Sequence, residues 1–283
     1  MNFNEFLSAR DCKSTYLLPL THIIRGIVFE QFLNIGRLNP GDLDVEETDI
    51  GKLKPCEVFD EFILYFFYGR FAYKFPSFSP GTLVSWKGIV ALFVKPNSLK
   101  SIRAVYPFDT GGYSRGFFRD FVGDDNLINY RLGSDLEDVL KFIEIFYENN
   151  SNYLTFSDYL PTRNFSSNTI GHSDCISSYI NLIRNAAMEY MTDVLDEQGD
   201  EEDRAVSIEI QTLSAISLPS SLEAIIVPLR YKRKYERKVN SFSNNITVLS
   251  YRGYDHTNTG GYHRAIKEVA KQYYEDRYGE EYL

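Results

Sequence analysis

An α+β fold is predicted for this sequence on three observations. Stretches with helical spacing and short runs rich in β-branched residues mix along the chain without strict βαβ alternation, which disfavours a doubly wound parallel sheet. No Pro-rich or Gly/Ser-rich linker divides the 283 residues, so one domain spanning 1–283 is expected, with a helical insertion at about 134–195. A hydrophobic content of 43% beside 24% charged residues is that of a soluble globular chain able to bury a core.

The elements follow in order. YLLPLTH, 16–22, reads as a strand running into a helix start. Ile24, Val28, Phe32 and Ile35 keep helical spacing after it, and Gly36 stands where a C-terminal glycine belongs. Two prolines, two glycines and several acids make 39–56 a polar connection. VFDEFILYFFYGRFAYKF, 58–75, begins with helical spacing and ends as an aromatic strand, and periodicity leaves the switch point open. GIVALFV, 88–94, has the form of a buried strand, and SIRAVYPF another that leads into PFDTGGYSRG, 107–116. Ser134-x-x-Glu137 is a capping-box pattern ahead of Leu136, Leu140, Ile143 and Tyr147. A second helix is expected over 174–195, with Ile176, Ile180, Ile183 and Ala187 on one face, before the acidic loop DEQGDEED at 196–203. RAVSIEIQ, LEAIIVPL and NITVLSY are three short β-type runs, and HRAIKEVAKQYYEDRY, 263–278, is a charged terminal helix.

Composition narrows the partners. A formal net charge of −9 provides no general field to attract nucleic acid. RYKRKYERK, 230–238, runs against that trend. Its Tyr231 and Tyr235 suit stacking on bases between phosphate-binding cations, while the plainer reading is a solvated hairpin or loop. The 21 Tyr and 21 Phe serve bulky core packing or half-polar ligand surfaces. Three widely spaced cysteines, with no CxxC pair, point to neither a zinc ribbon nor a disulfide framework, and to a reducing compartment. The N-terminus lacks the basic start and apolar core of a signal peptide, and no apolar run approaches membrane-helix length. A cytoplasmic protein without a membrane partner is the expectation.

The motifs leave several chemistries open. Asp109-Thr110-Gly111 is how an aspartic protease presents a catalytic carboxylate, but that chemistry needs a second acid close by. The echo NTGGYHRA at 258–265 carries Asn258 where that acid would stand. Asp109 reads better as a turn residue accepting a backbone N–H ahead of Gly111 and Gly112. The two glycines alone are a weak phosphate signal, and neither GxxxxGK[ST], GxGxxG nor GxSxG occurs. His172, His256 and His263 show no metal-ligand spacing. His22, at the end of an apolar strand and before an amphipathic helix, is either a satisfied structural histidine or a site residue.

LTHIIRGIVFEQFLNIGRLNP, 20–40, resembles the first strand and helix of the ADP-ribosyltransferase superfamily, where a first-strand His or Arg precedes a helix closed by a Gly-x-Leu-like turn. YFFYGRFAYKF then offers Tyr68 and Tyr73 where that family places an aromatic residue for nicotinamide. RAVSIEIQ ahead of LEAIIVPL resembles its last catalytic strand, with Glu209 flanked by alternating apolar residues. This His-Tyr-Glu order covers about two thirds of the chain. The middle region is longer and more helical than in a minimal transferase, and Ser207 stands where arginine-modifying members carry a further Glu. An alignment shifted by two would put Gln211 in the catalytic place. Glu209 is preferred because Val206, Ile208 and Ile210 then share one strand face and Ser207, Glu209 and Gln211 the polar one.

The resemblance implies a split β core and an NAD-dependent glycosyltransferase of toxin-like kind, passing ADP-ribose to a protein or nucleic-acid acceptor. It implies Glu209 as the carboxylate that stabilises the oxocarbenium-like ribose as nicotinamide leaves. It implies His22 on a ribose hydroxyl, Tyr73 or Tyr68 against nicotinamide, and Arg115 on the diphosphate, with no metal. NAD glycohydrolysis, with water as acceptor, and a non-catalytic module holding protein or nucleic acid are the alternatives.

Overall fold

The computed structural model describes residues 2–8, 11–12, 16–43, 47–73, 75, 82–122, 126–155, 174–191, 203–243, 245–252 and 259–279. The acidic run 196–202, His172, His256 and Asn258 lie outside the described residues. The first half of the chain holds α1 (Phe3–Ser8), β1 (Leu20–Arg25), α2 (Gly26–Ile35), β2 (Arg37–Leu38), β3 (Leu64–Tyr68), β4 (Ile89–Val94), β5 (Ala104–Tyr106) and α3 (Thr110–Ser114). The second half holds α4 (Leu136–Phe146), α5 (Asn150–Thr155), α6 (Asp174–Met191), β6 (Glu209–Thr212), β7 (Ile216–Ser217), β8 (Leu222–Pro228), α7 (Lys232–Asn240), β9 (Thr247–Tyr251) and α8 (Thr259–Tyr278). The class is α+β, with a mostly antiparallel sheet.

The chain forms two compact units. Residues 1–18, 102–210 and 278–283 make the first, and 19–101 with 211–277 make the second. The helices expected near 134–195 belong to the first unit.

In the second unit five strands lie in the order β3-β1-β4-β8-β9. All neighbours are antiparallel except β8 and β9, whose parallel pairing needs a crossover that α7 supplies. β4 sits at the centre and every one of its residues is buried, which is why GIVALFV shows no polar alternation. β1 extends to Arg25, so Ile24 belongs to the strand and does not open the helix. At the β1–α2 junction a Cβ on Gly26 would lie 2.7 Å from the Lys87 carbonyl oxygen and 3.0 Å from the Tyr235 hydroxyl. Only glycine fits there without displacing a neighbour. α2 ends on Gly36 in the left-handed region, φ 72°, as the sequence predicts, and β2 then pairs with β7 through Leu38 and Ile216.

Two expectations fail in this unit. Residues 58–60 form a turn, Glu61 bridges to Cys56, and among the described residues of 58–75 the regular element is β3. The basic segment 230–238 is neither hairpin nor loop: it forms a 3-10 turn and then α7. Tyr235 and Val239, four apart, give α7 its one buried stripe, and the Tyr235 hydroxyl donates to the Gly26 carbonyl at 3.1 Å. Tyr235 therefore has no face for a base.

Aromatic residues build the core of the first unit. Phe142 and Phe146 stack at 4.6 Å, Phe3 meets Tyr179 edge-on at 5.5 Å, and Phe108 lies 5.2 Å from Tyr130. The buried phenols find partners: Tyr147 and Tyr179 hydroxyls meet at 3.2 Å, and Tyr153 accepts the Ile208 N–H at 3.0 Å. Packing thus accounts for these tyrosines. α4 carries a capping box one residue later than expected. Asp135 accepts from the Glu137 N–H and Asp138 accepts from the Asp135 N–H, both at 3.0 Å. An acid at each of 135, 137 and 138 makes the two registers alike in sequence. Among the described residues no helix is long and apolar enough to cross a membrane.

Candidate functional site

Of the five residues singled out for the site, His22, Tyr68 and Tyr73 fall in the second unit, and Glu209 and Arg115 in the first. Each group has its own local geometry.

His22 is half-buried on β1, opposite Leu92 of β4. Its Nδ1 lies 2.8 Å from the Tyr65 carbonyl oxygen of β3, and its ring 5.7 Å from that of Phe66. A carbonyl only accepts, so Nδ1 carries the hydrogen. Burial lowers the imidazole pKa to about 4, outweighing the opposite effect of the Tyr65 bond. At neutral pH the ring is therefore uncharged, with Nε2 left as an acceptor. This is the form suited to a hydroxyl donor.

The two tyrosines differ. Tyr68, paired with Leu20 across β3 and β1, is wholly buried. Tyr73, beyond the end of β3, is 38% exposed and meets Phe75 edge-on at 5.3 Å. Near it Arg25 is buried with its guanidinium 4.5 Å over the Trp86 ring, and burial lowers the Arg25 pKa. His263 of α8 is a second buried histidine, with Nε2 donating to the Phe71 carbonyl at 2.5 Å. That bond ties α8 to the segment leading into Tyr73.

In the first unit the opening motif and Glu209 meet. Asp109 is the N-cap of α3 and accepts the Gly111 N–H at 2.8 Å, the bond read from the sequence. The next residue, Thr110, binds both oxygens of Glu209: its N–H reaches Oε2 at 3.0 Å and its hydroxyl reaches Oε1 at 2.8 Å. Glu209 is 1% exposed, and Ser207 and Gln211 are fully buried. The polar face inferred from alternation is thus not a solvent face. Strand β6 begins at Glu209, and 203–206 form a 3-10 turn in place of the expected strand start.

The Asp109 and Glu209 carboxyls contact each other, so Asp109 does have a second acid beside it. Burial raises the Asp109 pKa, against the pull of the Arg204 charge and of the Gly112 and Gly111 N–H groups. Arg204 Nε stands 3.9 Å from Asp109, its guanidinium lies 4.6 Å from the Phe117 ring, and its carbonyl accepts the Asp109 N–H at 2.9 Å. Arg115 caps the other end of α3 and is exposed. One short helix therefore holds Glu209 at its first residue and is capped by Arg115 at its other end. Thr110 and Arg204 carried no local signal of these roles, because Glu209 is 99 positions from Thr110 in the chain. Among the described residues no cluster of His, Cys, Asp and Glu could hold a metal ion.

No family model, curated protein or solved structure matches the chain.

Proposed function

We propose that the protein is an ADP-ribosyltransferase-like enzyme that cleaves NAD at the nicotinamide–ribose bond and passes ADP-ribose to a macromolecular acceptor. The observation that carries this reading is the state of His22. It is an uncharged imidazole with one nitrogen fixed by a backbone carbonyl and the other free to accept, on the strand preceding a helix closed by Gly36. That is the state needed to accept a bond from a ribose hydroxyl. Leu38, just past the closing glycine, pairs with Ile216, which follows β6 in the chain.

In the proposed reaction Glu209 stabilises positive charge growing on the ribose as nicotinamide departs. Glu209 is fixed for this role by Thr110, which binds both of its oxygens, and by its contact with Asp109. Its near-complete burial means that NAD must open a path to it. Arg115, at the far end of α3, is available to a diphosphate oxygen. Water in place of the acceptor would make the same site a glycohydrolase. A module that stacks bases on the basic segment is less well supported, because Tyr235 there is buried.

The test is nicotinamide release from NAD, measured together with an NAD-induced rise in melting temperature. His22→Ala should weaken NAD binding by about 1 kcal/mol and shrink that rise. Glu209→Gln should lower turnover by roughly a hundredfold or more. Absence of both release and thermal shift in the wild type refutes the proposal.

A further inference from the structure

The basic helix α7 divides its cations into two sets. Each lysine is engaged: Lys232 with Glu236 at 3.7 Å, Lys234 with Glu30 at 2.5 Å, and Lys238 with Asn34. The arginines are not. Among the described residues no carboxylate pairs with Arg230, Arg233 or Arg237, and all three are exposed. Arg237 Nε donates to the Arg233 carbonyl at 3.3 Å, a bond that does not use its terminal nitrogens. Arg230 lies 4.9 Å over the half-buried Tyr231 ring. Arg233 and Arg237, four apart, share one face of α7, Arg230 stands in the 3-10 turn just before it, and Tyr235 and Val239 anchor the helix on the other face.

We infer that this arginine face of α7 docks on the phosphate backbone of duplex DNA. Arginine's planar fork matches a phosphate with two parallel hydrogen bonds, whereas the lysines are committed to the protein's own Glu236, Glu30 and Asn34. The segment holds six basic residues and one acidic within a chain of net charge −9, so the surface has the local charge a polyanion requires. Single-stranded nucleic acid is disfavoured, because it calls for exposed aromatic platforms, and here Tyr235 is buried and Tyr231 lies under Arg230. The B-form major groove admits the exposed side of a helix between its phosphate walls, while the A-form groove of duplex RNA is too narrow. The inference stands apart from the NAD reading and needs no catalysis.

The experiment is fluorescence anisotropy of a labelled, mixed-sequence DNA duplex titrated with the full chain at several salt concentrations. Three phosphate contacts predict a slope of about −2.7 in log affinity against log salt, or roughly a 40-fold loss between about 50 and 200 mM. Replacing Arg230, Arg233 and Arg237 together with Gln should weaken binding at least about tenfold and flatten that slope. The melting temperature should stay as it was, since these side chains contact no core residue. Arg264→Gln with Lys271→Gln, on exposed positions of α8, should leave binding unchanged. No binding by the wild type at low salt, or equal binding by the triple variant, overturns the inference. Tighter binding of single-stranded DNA or of duplex RNA overturns its choice of partner.

Discussion

The state assigned to His22 makes a pH prediction that can be isolated from every other titration in the chain. Its imidazole binds a proton near 6.5 when unfolded and near 4 when folded. The folded pKa is depressed, so on acidification the unfolded chain takes up the proton first. The stability is present above 6.5 and lost as the pH falls towards 4. At about 1.4 kcal/mol per unit, acidification from pH 7 to pH 5 removes about 2 kcal/mol, and the full loss approaches about 3 kcal/mol near pH 4. Glutamine is the matching substitution, since its amide N–H can donate to the Tyr65 carbonyl and it does not titrate. Urea unfolding of wild type and His22→Gln at pH 7 and pH 5 gives the difference directly, and other groups cancel in it. Wild type should lose about 2 kcal/mol more than the variant. A histidine resonance absent from the variant and titrating near 6.5 in the folded protein would refute the neutral tautomer, as would identical acid sensitivity of the two proteins. The hydroxyl-binding role proposed for Nε2 would fall with it.

Other outcomes follow from bonds within each unit. Glu209→Gln should fold, because its amide oxygen can take the Thr110 N–H and its amide nitrogen can donate to the Thr110 hydroxyl. Glu209→Ala leaves that buried N–H without its acceptor and should cost roughly 1–3 kcal/mol by chemical denaturation. Asp109→Asn keeps the Gly111 cap and should change stability at neutral pH by no more than about 1 kcal/mol. Because the folded Asp109 pKa is raised, wild-type stability should fall as pH rises through that folded value, and melting curves across pH should show the slope vanish in the variant. Neither protein should cleave peptides at acid pH, and proteolysis lost in Asp109→Asn would overturn the capping role. Tyr235→Phe should cost about 1 kcal/mol for the bond to Gly26, and Gly26→Ala about 1–3 kcal/mol for the crowding against Lys87.

The sequence disclosed what local chemistry decides. β4 was visible as an unbroken apolar run, α2 through its closing Gly36, and the Asp109 bond through the acid two residues ahead of Gly111. Where several residues offered the same chemistry, the reading slipped by one, as at the α4 cap. α7 was missed because Tyr235 was weighed as a stacking surface. Counted as apolar it pairs with Val239 at helical spacing. Burial of Glu209 was out of reach, since the group that binds it comes from Thr110 and nothing in the alternation of β6 records that partner. The His22 tautomer depended likewise on Tyr65, a strand neighbour 43 positions away.

The interleaving of the two units has a consequence in time. β1, β3 and β4 all emerge from the ribosome before residue 95, but β8, which covers the other edge of β4, begins only at Leu222. At about 5–20 residues per second, that strand arrives roughly 6–25 s later. Through this interval the most apolar strand of the sheet presents an unpaired edge, which favours pairing with other chains. The growing chain is therefore most exposed to aggregation while the first unit is being made. A holdase acting on this nascent chain would have its largest effect in that window.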